Sequence, residues 1–296
     1  ASIAGEIMTT VSHEADPQTP EFAVARASAE ELAWFVDAVN RSLADEATVK
    51  GRLALFKEGA NLTGGLHIEG EGGWFAPMLG GVLAQGISVV VNDIGLIAPV
   101  CRAVARITGI PADWVVQQNL YVTAKGVKGF SPHCDDHIVV VAHLYGRKEW
   151  IMYERALDNP IALNAGRRAL VAPYDEEIAV RSRFVVEPGD CFVIPRGHFH
   201  AARSLTPASV HLSIGCSGIR PVDYIWRLAK AAMEHSELRA DLGHAEALRR
   251  AMAFTARTRP ARIRLPHNPV AKVPKGARPD GTTLSFEETL RALPVG

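Results

Sequence analysis

Cysteine is sparse and unpaired in this chain: Cys101, Cys134, Cys191 and Cys216 lie far apart among 296 residues, with no CxxC spacing. A core of this size needs no disulfide staples, so a reducing cytoplasm is the expected compartment. Charge of either sign is not in excess, since 32 Lys and Arg balance 32 Asp and Glu. No global field draws the chain to nucleic acid or to an anionic membrane, and any basic patch must be local. No apolar run reaches the roughly eighteen residues of a membrane span. Residues 1–22 show no basic segment leading into an apolar one, so secretion is not expected either. Internal repeats and low-complexity tracts are also absent.

What is present is apolar material, 48% of the chain, enough for one large catalytic core plus a smaller helical appendage. Ser28-Ala29-Glu30-Glu31 reads as a capping box opening a helix through about Ser42, with Leu32, Phe35 and Val36 on its apolar face. From Leu53 to Cys216 the pattern changes to short β-rich runs broken by glycine and proline. Examples are Ile87–Val91, Val115–Thr123, Ile138–Leu144 and Lys148–Tyr153, whose number and close spacing predict a sandwich or barrel. One helix, about Ile97 to Thr108, interrupts that region, with Ala98, Cys101, Val104 and Ala105 at helical spacing. Beyond Pro221 the helical period returns at Val222, Ile225, Trp226, Ala229 and Met233, and again from Ala245 to Phe254. The expected organisation is an N-terminal helical segment (1–52), a β domain (53–218) and a C-terminal helical region with a tail (219–296).

The residues that carry chemistry begin at Ser131-Pro132-His133-Cys134-Asp135-Asp136-His137, which runs straight into an apolar strand. In an extended segment residues two apart share a face, so His133 and Asp135 can converge on one point. An HxD triplet alone is weak. It gains weight from a second element, in which Pro188-Gly189-Asp190 turns, Cys191–Ile194 forms a strand, and Pro195-Arg196-Gly197 turns again just before His198-Phe199-His200. Two imidazoles and a carboxylate on one side of a metal, with the other positions open, suit a non-haem iron(II) oxygenase. A closed structural zinc site would want four ligands. His198 and His200 share strand parity, so spacing does not choose between them. His137 and His143 are expected to be structural or substrate-facing.

Four segments carry a resemblance to a known family. Asn119-Leu120-Tyr121-Val122-Thr123, Gly129-Phe130-Ser131-Pro132-His133-Cys134-Asp135-Asp136, Gly146-Arg147-Lys148-Glu149-Trp150, and Pro188-Gly189-Asp190 through His200 resemble the JmjC ribosomal-oxygenase group of cupin hydroxylases, over about Leu83 to Gly215. The resemblance implies a double-stranded β-helix (jelly-roll, JmjC/cupin) core with flanking helices and a C-terminal helical region. It implies Fe(II) held by His133, Asp135 and His200, with 2-oxoglutarate and O2 as cosubstrates. Lys148 would pair with the distal carboxylate of 2-oxoglutarate, and Asn119 and His211 would flank cosubstrate and metal. A dicarboxylate that chelates iron at one end needs a buried cation at the other, and a buried ammonium is costly without such a partner. Tyr121 would hydrogen-bond the same carboxylate, although a core tyrosine would look identical in sequence. Cys134 stands where the family usually has tyrosine and would alter the pocket beside the iron.

The implied activity is hydroxylation of an amino-acid side chain in a protein or peptide. A free amino acid or natural-product intermediate is the alternative substrate, and a closed pocket lidded by Leu53–Gly80 would favour it. A non-catalytic metal-binding cupin is the reading from another class. Residues 247–279 hold nine Lys and Arg and no acid, a run able to meet an acidic peptide or RNA within a ribonucleoprotein but more simply a solvated basic face. The C-terminal helices, 219–256, stand where the resemblance places dimerisation helices, so a homodimer is expected.

Overall fold

The structure, a computed structural model, describes residues 23–43, 46–65, 75–95, 98–126, 130–161, 170–173 and 176–257. In chain order these form β1 (Ala25–Arg26), α1 (Ala29–Leu43), α2 (Glu46–Arg52), β2 (Leu53–Lys57), β3 (Ala60–Asn61), α3 (Phe75–Ala84), β4 (Ser88–Val91) and α4 (Ala98–Thr108). There follow β5 (Val115–Ala124), β6 (Ile138–Tyr145), β7 (Lys148–Ala156), β8 (Val180–Val186), β9 (Asp190–Ile194), β10 (His198–Ser204) and β11 (Ala208–Cys216), then α5 (Pro221–Met233) and α6 (His244–Arg257). The described residues fall into two compact units, divided after Cys216.

In the first unit an eight-stranded sheet runs β1-β9-β6-β11-β5-β4-β2-β3 and a three-stranded sheet runs β10-β7-β8. All ladders are antiparallel. Strand alternation assigns the faces. Leu120, Val122, Val140, Ala142, Val210, Leu212 and Ile214 point outward into one cluster with Phe35 and Val39 of α1, Leu79 of α3 and Val100 and Val104 of α4. The intervening positions point inward: Val139, Val141, Phe192 and Ile194 meet Trp150, Met152 and Val186 of the smaller sheet. This is the double-stranded β-helix, with helices covering one side and a sheet-lined interior on the other. Burying each large apolar side chain contributes about 1.5–3 kcal/mol.

The capping box of α1 forms as its sequence suggests: Glu31 N–H donates to Ser28 Oγ and Ser28 N–H to Glu31 carboxylate. Arg106 of α4 also donates to that carboxylate. Burial raises the Glu31 pKa, but the hydrogen bonds from Ser28 and Arg106 lower it further, leaving it below the ordinary carboxylate value. Two expectations need correction. The β-rich region contains a second helix, α3, whose residues Met78, Leu79, Val82 and Leu83 are apolar on every side and whose Gly80-Gly81 pair lowers helix propensity, so no helical period stands out. The start of the segment expected as a lid, Leu53–Lys57, is instead a strand of the main sheet hydrogen-bonded to β4, and residues 66–74 of that segment lie outside the described residues.

In the second unit α5 and α6 bury no residue. Val222, Ile225, Trp226, Met233, Leu248 and Met252 are all exposed. Arg249 and Arg250 both pair with Glu246, so the start of the basic run is partly neutralised. Its remainder beyond Arg257 lies outside the described residues. No helix among the described residues is long and apolar enough to cross a membrane.

Candidate metal centre

Two chain segments meet at one point. His133 N–H donates to His200 O and His200 N–H to His133 O, at 3.1 and 2.7 Å, and Gly197 N–H donates to Asp135 O at 3.0 Å. These three backbone bonds pin the HxD segment against β10. Gly197 has φ +85° in the turn that launches β10, and a Cβ there would collide with the Leu157 carbonyl, so only glycine fits. The result is a cluster in which one ligand atom each of His133, Asp135 and His200 lies within 4.8 Å of the other two. Among the described residues it is the one group of three or more His, Cys, Asp or Glu placed to hold an ion.

The imidazoles are oriented from behind. His133 Nδ1 lies 2.9 Å from Ser131 O and His200 Nδ1 lies 3.0 Å from His198 O. A carbonyl only accepts, so each Nδ1 carries the proton and each Nε2 keeps its lone pair for a metal. His200 Nε2 is 3.7 Å from Asp135 Oδ2. Burial and the neighbouring His133 ring hold His200 below its ordinary value, against the pull of Asp135. Two neutral nitrogens and a carboxylate form the donor set of a facial triad with open positions, which a divalent iron fits.

Cys134 behaves differently from its expectation. Alternation turns it away from His133 and Asp135, into a cluster with Ile151, Tyr153, Ala172, Phe199 and Ala201 on the far face of the smaller sheet. Burial, reinforced by Asp135, pushes its thiol up to about 11, so it is an inert core residue rather than a wall of the site.

Beside the triad the interior is polar. Lys148, 2% exposed, donates from Nζ to Thr123 Oγ1 at 2.7 Å and to His211 Nδ1 at 3.1 Å. Burial alone pushes its ammonium down to about 7. Among the described residues no carboxylate pairs with it, which leaves a buried cation in want of an anion. The Tyr121 ring stacks on His211 at 4.8 Å. Burial, with Asp135 nearby, pushes the Tyr121 phenol well up. Asn119 Oδ1 accepts from Asp93 N–H at 2.8 Å. Trp150, which the sequence reading left without a role, lies between the two halves: its ring centroid is 6.0 Å from His200 and 5.3 Å from His211. Burial holds His211 far below its ordinary value, with Lys148 and His143 adding to the effect.

All seven residues singled out from the sequence therefore face one interior. His133, Asp135 and His200 converge, and Lys148, His211, Tyr121 and Asn119 line the adjoining strands β7, β11 and β5. His143 turns its Nε2 to Gly146 O at 2.9 Å in the β6–β7 turn. His137 bridges Asp136 and Gln117 at 3.0 and 3.2 Å and takes no place in the cluster. Thr123 and Trp150 were missed, yet each lies two residues from a residue that was named and shares its strand face.

The fold is of the JmjC/cupin type, and residues 100–223 match the JmjC domain family. Within that class the chain resembles the ribosomal oxygenases. It is 36% identical over 104 residues to ribosomal oxygenase 2 of Rattus norvegicus, a match covering 34% of this chain and 21% of that protein. It is 33% identical over 101 residues to the bifunctional lysine-specific demethylase and histidyl-hydroxylase NO66 of Dictyostelium discoideum, covering 32% and 18%. The ribosomal oxygenase YcfD of Escherichia coli has a crystal structure that aligns over 83% of this chain and 61% of its own, at 18% identity and a TM-score of 0.48. The match thus spans about a fifth of the length of these two curated relatives.

Proposed function

We propose that this chain is an Fe(II)- and 2-oxoglutarate-dependent oxygenase that hydroxylates a side chain of a protein or peptide. One observation carries the proposal: a two-histidine, one-carboxylate donor set opens onto an interior whose buried lysine has no counter-ion among the described residues. Iron(II) held by His133, Asp135 and His200 would supply the oxidising chemistry, consuming O2 and 2-oxoglutarate and releasing succinate and CO2. The chain's own part is binding and orientation. Lys148 holds the distal carboxylate of the cosubstrate, and its proton, costly in a buried position, is stabilised when that carboxylate arrives. Tyr121, Asn119 and His211 shape the space between carboxylate and metal. Ser131 O and His198 O keep both imidazoles in the tautomer that ligates. The apolar layer around Trp150, Met152, Phe192 and Ile194 keeps water from the far side of the site.

A polypeptide substrate is supported by the names of the relatives, a ribosomal oxygenase and a lysine-specific demethylase and histidyl-hydroxylase. Incubating the Fe(II)-loaded protein with 2-oxoglutarate and ribosomal protein fractions should add one oxygen to a peptide, read by mass spectrometry. Oxidation of small amino acids with no polypeptide modified would redirect the assignment to a small-molecule hydroxylase. We further propose that α5 and α6 form a homodimer interface, since their apolar side chains are exposed and none of their residues is buried among the described residues. Trp226→Glu should then halve the mass measured by light scattering, and an unchanged mass would remove this interface. The four buried free cysteines accord with a reducing compartment.

A further inference from the structure

The inner face of the main sheet is closed at one end and open at the other. Along the β5–β11 ladder the inward rows run from Thr123 opposite Ser209, beside Lys148, to Gln117 opposite Gly215. Thr123 and Ser209 are buried, whereas Gln117 and the neighbouring Asp136 and His137 are part-exposed. Asp135, the ligand that precedes them in the chain, keeps 30% of its side chain exposed. The metal centre is therefore reached from the Gln117 end.

At that end three side chains are joined. Asp136 Oδ1 lies 3.0 Å from His137 Nδ1, and His137 Nε2 lies 3.2 Å from Gln117 Nε2. A carboxylate only accepts and a carboxamide nitrogen only donates, so His137 Nδ1 carries the proton and its Nε2 accepts from Gln117. One N–H of the Gln117 amide is thereby spent, and the other N–H and Oε1 have no hydrogen-bond partner among the described residues. Gly215 makes room for the arrangement: a Cβ there would stand 2.7 Å from Gln117 Cγ and 2.8 Å from His137 Nε2, so both side chains lie across its bare backbone. His137 is near enough to His200 to act on its charge, which sets the joined group beside the metal centre.

A donor and an acceptor on one rigid plane are the complement of another amide, which offers one N–H and one C=O. A free amino acid brings an ammonium and a carboxylate instead, and the Asp136 carboxylate is already engaged by His137. We propose that Gln117 takes a main-chain amide of the substrate at the open end of the interior, with His137 as the positioning residue that aims it, so that the site accepts a residue within a polypeptide in preference to a free amino acid. This rests on the proposed oxygenase activity. The terminal torsion of a glutamine is broad; the His137 bond holds it at one setting before the substrate arrives, which lowers the cost of binding.

Oxygen incorporation into ribosomal protein fractions can be followed by mass spectrometry at graded concentrations for Fe(II)-loaded wild type, Gln117→Ala, His137→Ala and the double variant. Calorimetry of 2-oxoglutarate binding to the Mn(II)-loaded proteins reports whether the interior is intact. Each single variant should raise KM for the modified protein about ten-fold, the upper scale of one net hydrogen bond, with kcat little changed. The double variant should raise it no further, because His137 works through Gln117. All four proteins should bind 2-oxoglutarate alike. An unchanged KM in Gln117→Ala, losses that add in the double variant, or a parallel loss of 2-oxoglutarate binding overturns the role of the pair, while wild type that still modifies the protein keeps the polypeptide reading intact. A wild type that modifies no polypeptide overturns both.

Discussion

Lys148→Met should make the ligand-free protein more stable while removing its affinity for 2-oxoglutarate. Burial pushes the lysine from its ordinary 10.5 down to about 7. At neutral pH an unfolded lysine is fully charged, so placing it in this interior costs about 4 kcal/mol at roughly 1.4 kcal/mol per pH unit. Methionine has a similar length and no charge to desolvate. It forfeits the bonds to Thr123 Oγ1 and His211 Nδ1, about 1 kcal/mol each. The balance is a gain of about 2 kcal/mol, or about 4–8 °C in Tm for a domain of this size. The pH dependence has a definite sign. The folded lysine releases its proton near 7 and the unfolded one near 10.5, so between those values the unfolded state binds more protons and wild-type stability rises with pH. The advantage of the methionine variant is therefore full below pH 7 and shrinks toward pH 10. Urea titrations of both proteins from pH 6 to 10 measure it. A variant less stable than wild type at pH 7, or an advantage that grows with pH, would refute the reasoning.

Other substitutions probe separate parts of the account. Phe35→Ala removes a buried side chain of α1 from the cluster it shares with the main sheet and should cost about 3–5 kcal/mol in denaturant titrations. A loss under 1 kcal/mol would show that this helix is not part of the core. Gly215→Ala places a Cβ 2.7 Å from Gln117 Cγ and 2.8 Å from His137 Nε2, and should destabilise by about 1–3 kcal/mol, read as a lowered Tm. Cys134→Ser should leave metal affinity unchanged in a competitive chelator titration, because that side chain faces away from the triad. A marked loss would return the thiol to the site.

Strands β5, β6 and β7 were readable because each combines alternation or a long apolar run with glycine or charged ends, and the His133–Asp135 spacing is a local property of an extended segment. Local patterns could not reveal what depends on register across the sheet. Spacing left His198 and His200 equivalent, and only the bulge between them in the β10–β7 ladder and the paired backbone bonds to His133 separate the two. The direction of Cys134 follows from the same alternation that joins its neighbours, yet was read as facing the metal. Helix α3 was invisible because an element apolar on all sides has no period. Gln117 and Gly215 are ordinary in sequence and 98 residues apart; their meeting beside His137 exists only once β5 and β11 lie side by side.

The central claim is that His133, Asp135 and His200 hold one iron that turns over 2-oxoglutarate. Succinate formation should be measured with Fe(II), ascorbate, O2 and 2-oxoglutarate for wild type and for Asp135→Ala, with circular dichroism confirming that both are folded. Succinate from wild type alone, abolished by a chelator, is the predicted result, and equal succinate from folded Asp135→Ala would contradict it.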